Sequence, residues 1–305
     1  KVKFKNLALV IVDEQHRFGI NQRLKLTQKN TEKIPHLLSM TATPIPRTLA
    51  LTIYGDLDLT LLDEMPAGRK KIITEIIAPE KRKHAYEHLR KEIASGRQAY
   101  ILCPRIEDTD DLMRAVKKEY KTLSENVFPE FKVEMLHGRM KPKEKDKIMK
   151  EFREGQIKIL VATSVIEVGV DVPNATVILI EGAERFGLAQ LHQLRGRVMR
   201  SSYQPYCFLF TESNSQKTKA RLQALLEAKS GFELAEHDLK LRGPGELTGV
   251  KQWGISDVGM EALKNIKMVD AARREARKII EADSIQKYPE LAWRVTAQSA
   301  SLHFE

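Results

Sequence analysis

The sequence predicts an α/β protein built on a parallel sheet flanked by helices, and three observations carry that prediction. Short apolar runs such as Leu7–Val12, Gln98–Cys103 and Thr176–Ile180 lack polar alternation, the mark of strands buried on both faces. Between such runs lie segments with apolar residues at helical spacing, the alternation of parallel sheets wrapped by helices. Cys103 and Cys207, the two cysteines, fall inside apolar runs, and no Cys or His residues cluster at ligand spacing, so they read as buried and reduced core residues in preference to a disulfide or metal site.

Taken in order, Leu7–Val12 is a strand expected to be buried on both faces, and it ends in the polar run Asp13-Glu14-Gln15-His16. His36–Met40 is a second strand running into Thr41-Ala42-Thr43-Pro44-Ile45-Pro46, where the hydroxyls of Thr41 and Thr43 are free to bond the acidic run or a phosphate. Pro46 suits the first turn of a helix reaching about Tyr54. Asp63 to Lys71 holds a Pro, a Gly and a basic run and reads as a linker between domains. Beyond it the expected elements are strand Ile72–Ala78, helix Glu80–Ser95, strand Gln98–Cys103, helix Thr109–Leu123 and strand Lys132–Leu136. Helix Pro142–Glu154, stopped by Gly155, follows, and strands Ile157–Val161, Thr176–Ile180 and Tyr206–Phe210 complete the sheet.

Polar loops leave the C-terminal ends of these strands at Pro104-Arg105, His137-Gly138-Arg139, Ala162-Thr163-Ser164 and Glu181-Gly182. Ligands of open α/β sheets sit at that edge, and short Gly, Ser and Thr loops let backbone N–H groups approach phosphates. Taken singly, each loop reads equally as a plain turn. Met260–Asp283 reads as a basic amphipathic helix, with Leu263, Ile266, Val269 and Ala272 on a face expected to pack on the rest of the protein. Arg273, Arg274, Arg277 and Lys278 gather near its end, where cations complement the helix dipole. Trp293–Glu305 carries no readable signal.

Lysine and arginine outnumber aspartate and glutamate by 51 to 41 in 305 residues, a net charge of +10. That excess suits a polyanionic partner and equally a solvated surface. No apolar run approaches the ~20 residues of a membrane span, and no signal peptide opens the chain, so the expectation is a cytoplasmic protein. Lys1 leads into a strand within a few residues, without Met, and the chain is expected to be a fragment.

The chemistry concentrates in two stretches. Gln190-Leu191-His192-Gln193-Leu194-Arg195-Gly196-Arg197-Val198-Met199-Arg200 places Leu191, Leu194 and Val198 on one helical face, with the arginines expected to project from the other. A planar guanidinium fork suits phosphate oxygens, so Arg197 and Arg200 on a rigid helix are equipped to hold a γ-phosphate. A solvated basic face fits the same spacing. At the other end, Asp13 closing a buried strand suits the hydration shell of Mg²⁺, with Glu14 beside it to orient and deprotonate an attacking water. A plain surface turn fits that pair as well.

Read together the motifs become specific. Asp13-Glu14-Gln15-His16, Thr41-Ala42-Thr43, Ala162-Thr163-Ser164 through Glu167-Val168-Gly169-Val170-Asp171, and Gln193 to Arg200 resemble motifs II, III, V and VI of superfamily 2 helicases. The resemblance covers nearly the whole chain. It implies ATP held between two RecA-like domains, with residues 1–65 the C-terminal part of the first, 66–232 the second, and 233–305 a translocation hairpin and C-terminal helix. It further implies that Asp13, Glu14, Gln15 and His16 serve Mg²⁺ and water, that Gly169, Asp171 and Gln193 reach the nucleotide, and that Arg197 and Arg200 are arginine fingers. DNA would be met by Thr43, Arg105, His137, Arg139, Thr163 and Ser164.

Asp13 through Gly19 with Gln22-Arg23, and His237-Asp238-Leu239-Lys240-Leu241-Arg242-Gly243-Pro244-Gly245-Glu246 continuing to Gln252-Trp253-Gly254, narrow the resemblance to the RecG family of bacterial branched-DNA helicases. The second segment is similar to a translocation motif shared with transcription-repair coupling factors. Leu239, Leu241 and Leu247 read as anchors of a hairpin, Gly243-Pro244-Gly245 as its turn, and Arg242 and Gln252 as polar contacts to duplex DNA. A monomer acting on stalled forks and Holliday junctions is what the resemblance implies. Its alternatives are a coupling-factor translocase and a passive DNA-binding module. The sequence departs from the family at Met199, where glycine is usual, and it contains no Gly-x-x-x-x-Gly-Lys-Ser/Thr phosphate loop. It also lacks the wedge domain that the family uses to split strands. The chain by itself is therefore expected to hydrolyse no ATP.

Overall fold

The structure, a computed structural model, describes residues 6–14, 35–42, 58, 60–62, 64, 68–104, 111–163, 172–228, 230–246 and 266–299. The chain divides into two compact units, a larger one of residues 62–241 and a smaller one of residues 1–61 with 242–305.

The larger unit is a six-stranded sheet in the order β3-β8-β7-β4-β6-β5. Its strands are β3 (Ile73–Ile77), β4 (Gln98–Leu102), β5 (Val133–Leu136), β6 (Ile159–Ala162), β7 (Ala175–Ile180) and β8 (Tyr206–Phe210), all parallel to their neighbours. All six apolar runs read from the sequence are therefore strands. Side chains alternate between the two faces of the sheet, as the period of a strand requires. Tyr100 and Leu102 join Leu160, Ile178 and Leu209 on one face, while Ala99 and Ile101 join Val161, Leu179 and Phe208 on the other.

Helices α1 (Arg82–Ala94) and α2 (Asp111–Lys121) cover the second face through Ala85, Leu89, Ile93 and Val116. The first face is covered by α3 (Pro142–Arg153), α4 (Leu188–Arg195), α5 (Gln216–Glu227) and the start of α6 (Gly231–Glu246). Pro142 opens α3, where its missing N–H costs nothing, and Gly155 ends it at φ +77°, a left-handed position open to glycine. The expected helix over 109–123 ends earlier as α-helix. Residues Thr122–Val127 form a π-turn that delivers Phe128 into the core, fastened by Arg90 bonding to the Val127 carbonyl. Helix α5 is new relative to the sequence reading; Ser215 caps it, accepting from the Thr218 N–H at 3.1 Å.

In the smaller unit β1 (Leu9–Asp13) and β2 (His36–Met40) run parallel, with Asp13 opposite Met40. The expectation of burial on both faces fails here. Val10 and Val12 are buried, whereas Leu9 and Ile11 are 51% and 56% exposed, because among the described residues β1 pairs with β2 alone and one face stays uncovered.

Helices α7 (Ile266–Glu281) and α8 (Pro289–Ser299) also lie in this unit, α8 running into the stretch from Trp293 that gave no signal in sequence. None of their described side chains is buried; of the α7 face expected to pack, Ala272 is exposed, and the side chains of Ile266 and Val269, like residue 263, lie outside the description. The expected Gly243-Pro244-Gly245 turn is corrected as well. Helix α6 runs through it to Glu246.

Candidate nucleotide and nucleic-acid sites

In the smaller unit the acidic pair stands where β1 ends. Asp13 is exposed, the last residue of the strand, and the Glu14 N–H donates to Asp13 Oδ1 at 2.9 Å. Glu14 adopts φ +52°, a conformation that costs a non-glycine residue roughly 1–2 kcal/mol and that recurs at functional sites. Register explains what holds it there. Because Met40 is opposite Asp13, the next residues of the β2 chain lie beside Glu14: the Thr41 hydroxyl and the Ala42 N–H both donate to Glu14 Oε2 at 3.4 Å. The link expected from Thr41 to the acidic run is thus present. Two adjacent carboxylates at a strand end suit Mg²⁺, which keeps most of its water and takes only one or two protein carboxylates. No group of three His, Cys, Asp or Glu gathers for a metal among the described residues. Gln15, His16 and Thr43 lie outside the described residues.

In the larger unit, Leu188, Leu191 and Leu194 seat α4 in the core, and Val198 is buried just beyond it. Gln190 accepts from the Gly187 N–H at 3.3 Å and so caps the helix start. The arginines do not all project from one helical face. Helix α4 ends at Arg195; Arg197 lies in a following 3₁₀ turn (Gly196–Val198), and Arg200 is exposed after it. Arg195 turns inward, donating from Nη1 to the Leu225 carbonyl at 2.7 Å, one of the carbonyls that the last turn of α5 leaves open. Burial pulls its pKa down, and burial with the Arg195 charge lowers that of His192. Arg221 of α5 donates to the Glu184 carbonyl, so α5 splints both α4 and the turn before it. Gln193 is half-buried.

The C-terminal strand edge gathers the nucleic-acid candidates from neighbouring strands. Thr163, 5% exposed after β6, bonds from its N–H to Leu136 O at 3.4 Å, and the Cys103 N–H reaches Ala162 O at 2.9 Å. His137 follows β5 with Nδ1 buried and without a hydrogen-bond partner; burial and then the charges of Lys117, Lys145 and Arg139 lower its pKa. Arg139 is exposed, and Lys145 Nζ donates to Gly138 O at 2.6 Å. Arg105, Ser164, Gly169, Asp171 and Gln252 lie outside the described residues, as does the side chain of Arg242.

Sequence reasoning missed a half-buried ion pair at the same edge. Arg82 Nη1 and Nη2 meet Glu181 Oε1 and Oε2 at 3.1 and 2.9 Å. Burial, with help from Glu119 and Glu212, pushes Glu181 up to about 7 against the pull of Arg82. An acid closing a fully apolar strand was the available signal for Glu181; for Arg82 there was none.

Residues 80–202 match the helicase conserved C-terminal domain, and residues 228–299 match the domain 3 C-terminal part of the ATP-dependent DNA helicase RecG. The chain is 50% identical over 293 residues to RecG of Synechocystis sp., covering 95% of this chain and 35% of that protein. It is 49% identical to RecG of Thermotoga maritima, covering 91% and 36%. It therefore spans little more than a third of the length of these relatives. A solved structure of RecG bound to a three-way DNA junction superposes with a TM-score of 0.69 at 46% identity, covering 88% of this chain and 34% of that one. The DUF1998 helicase MrfA, at 21% identity and a TM-score of 0.55, shares the fold. Two domain matches in order and this identity over nearly the whole chain show that it corresponds to the C-terminal part of RecG.

Proposed function

We propose that the chain is the motor portion of an ATP-dependent DNA helicase that translocates on duplex DNA and remodels branched junctions, working in the cytoplasm as a monomer. Residues 1–65, 66–232 and 233–305 are then the end of a first RecA-like domain, the second such domain, and a translocation hairpin with its C-terminal helix. Asp13 would hold Mg²⁺ and Glu14 would orient and deprotonate the attacking water, with Gln15 and His16 completing the catalytic set. Mg²⁺ supplies charge neutralisation at the phosphates. Gly169, Asp171 and Gln193 contact the nucleotide, while Arg197 and Arg200 offset the charge that develops on the transferred phosphoryl group. Thr43, Arg105, His137, Arg139, Thr163, Ser164, Arg242 and Gln252 meet DNA.

The observation that carries this reading is Glu14, strained in backbone and held from β2 by a hydroxyl and an amide. Two donors converging on one oxygen fix the direction of the Glu14 carboxylate, as a positioned base needs. The test is ATP turnover by a full-length RecG-type protein carrying this chain, with forked DNA, linear duplex or no DNA. Stimulation by the fork, lowered about 10²- to 10⁴-fold by Glu14→Gln and about 10³- to 10⁵-fold by Arg200→Ala, is the expected result. Equal stimulation by linear duplex favours a coupling-factor translocase, and no turnover on any DNA leaves a passive binding module.

A further inference from the structure

One guanidinium grips the ends of two strands. Arg82 opens α1, pairs bidentately with Glu181 at the end of β7, stands 3.7 Å from Glu212 beyond β8, and stacks 4.8 Å from the Phe210 ring centroid. The Glu181 N–H also bonds the Leu102 carbonyl at 2.8 Å, which ties the same point to the end of β4. Gly182 comes next, at φ +58°, so close to the Pro104 ring that a Cβ would lie 3.1 Å from Pro104 Cγ. From there the chain makes the 3₁₀ turn Ala183–Arg185 and enters α4, which ends at the arginine segment. Arg221 and Arg195 fix that path to α5. Glu181 thus stands where the edge of Pro104, Thr163 and His137 meets the route to Arg197 and Arg200. A carboxylate there would repel a phosphate backbone, and the paired guanidinium neutralises it.

We propose that Arg82 and Glu181 are positioning residues for DNA-dependent ATP hydrolysis, their pair locking the ends of β7 and β8 to β4 so that occupation of this strand edge sets the arginine segment. The proposal rests on the helicase reading above and adds to it the element that couples the two sites within the larger unit. Neither residue touches nucleotide or DNA in this scheme. Lysine at 82 keeps the charge but loses the planar fork, and glutamine at 181 keeps the shape but loses the charge.

The experiment measures kcat and KM for ATP, with and without forked DNA, in the full-length RecG-type protein carrying Arg82→Lys, Glu181→Gln or Glu181→Asp. Melting temperature and DNA affinity by fluorescence anisotropy are followed alongside. Arg82→Lys and Glu181→Gln should lower the DNA-stimulated kcat about ten- to a hundredfold, the scale of a small misplacement, while turnover without DNA, KM and DNA affinity stay within about twofold. Glu181→Asp should recover part of the stimulation. Parallel loss with and without DNA, tracking a lowered melting temperature, would overturn the proposal, as would stimulation unchanged in both variants. Absence of stimulated turnover in the unaltered protein would overturn the helicase reading itself.

Discussion

Replacing Glu181 with glutamine should remove a pH dependence that burial builds into the larger unit. Burial raises this carboxyl from its ordinary 4.5 to about 7. Between those values the unfolded chain releases the proton and the folded unit keeps it, so stability falls as pH rises through the window and is level above it. At about 1.36 kcal/mol per pH unit the loss comes to about 3 kcal/mol. In the variant the amide is neutral throughout and this contribution vanishes.

The chain's two cysteines give a local probe, since Cys103 and Cys207 are both buried in the larger unit and burial raises both thiol pKa values. Urea titrations with pulse alkylation across about pH 4 to 9, corrected by the reactivity of a small thiol at each pH, read unfolding of that unit alone. The difference between the two proteins should change by about 3 kcal/mol across the window and then stay constant. An equal fall in Glu181→Gln, or none in either protein, would refute the reasoning.

Other outcomes follow from the same geometry. Arg195→Met strands the Leu225 carbonyl and should cost the larger unit about 1–3 kcal/mol, read by the urea midpoint of the same thiol assay; an unchanged midpoint counts against the splint. Thr41→Val removes the hydroxyl bonded to Glu14 and, in the full-length protein, should lower kcat for ATP about tenfold with KM unchanged, whereas a change in KM alone would place Thr41 in binding. The 305-residue chain, lacking the phosphate loop, should show no ATP turnover, and measurable turnover abolished by Glu14→Gln would overturn that expectation. Arg139→Ala should make the salt dependence of DNA binding shallower by about one unit of log–log slope; an unchanged slope removes Arg139 from the phosphate contacts.

Much of the fold was legible because burial writes itself as apolar runs: all eight strands among the described residues end within two residues of the apolar stretches read from the sequence. The acidic pair and the arginine segment were legible because their chemistry needs those residue types at those intervals. What stayed hidden depends on contacts far apart in sequence. Arg195 sits among residues that resemble a solvated basic face, and only the open carbonyl at Leu225 turns it inward. The Arg82–Glu181 pair joins the start of one helix to the end of a strand with nothing local to announce it. Helix α5 begins with a polar half, Gln216-Lys217-Thr218-Lys219, and places its buried Leu222, Ala224 and Leu225 late, so periodicity alone was a weak guide. The exposed apolar side chains of β1 and β2 escaped the reading because a run of Leu, Val and Ile does not state how many neighbours its strand will have.

The sheet order carries a consequence for biosynthesis. Strand β3 is the first of the larger unit to leave the ribosome, yet its sheet partner is β8, the last. Ile73, Ile76 and Ile77 therefore wait unpaired while every other strand of the unit is made, and the edge closes only when Tyr206–Phe210 emerges. Nascent chains halted before β8 should hold β3 open to proteases and to mispairing, whereas chains a few tens of residues longer should close it. The unit thus gains its full cooperativity late, with its earliest strand serving as the final piece to lock.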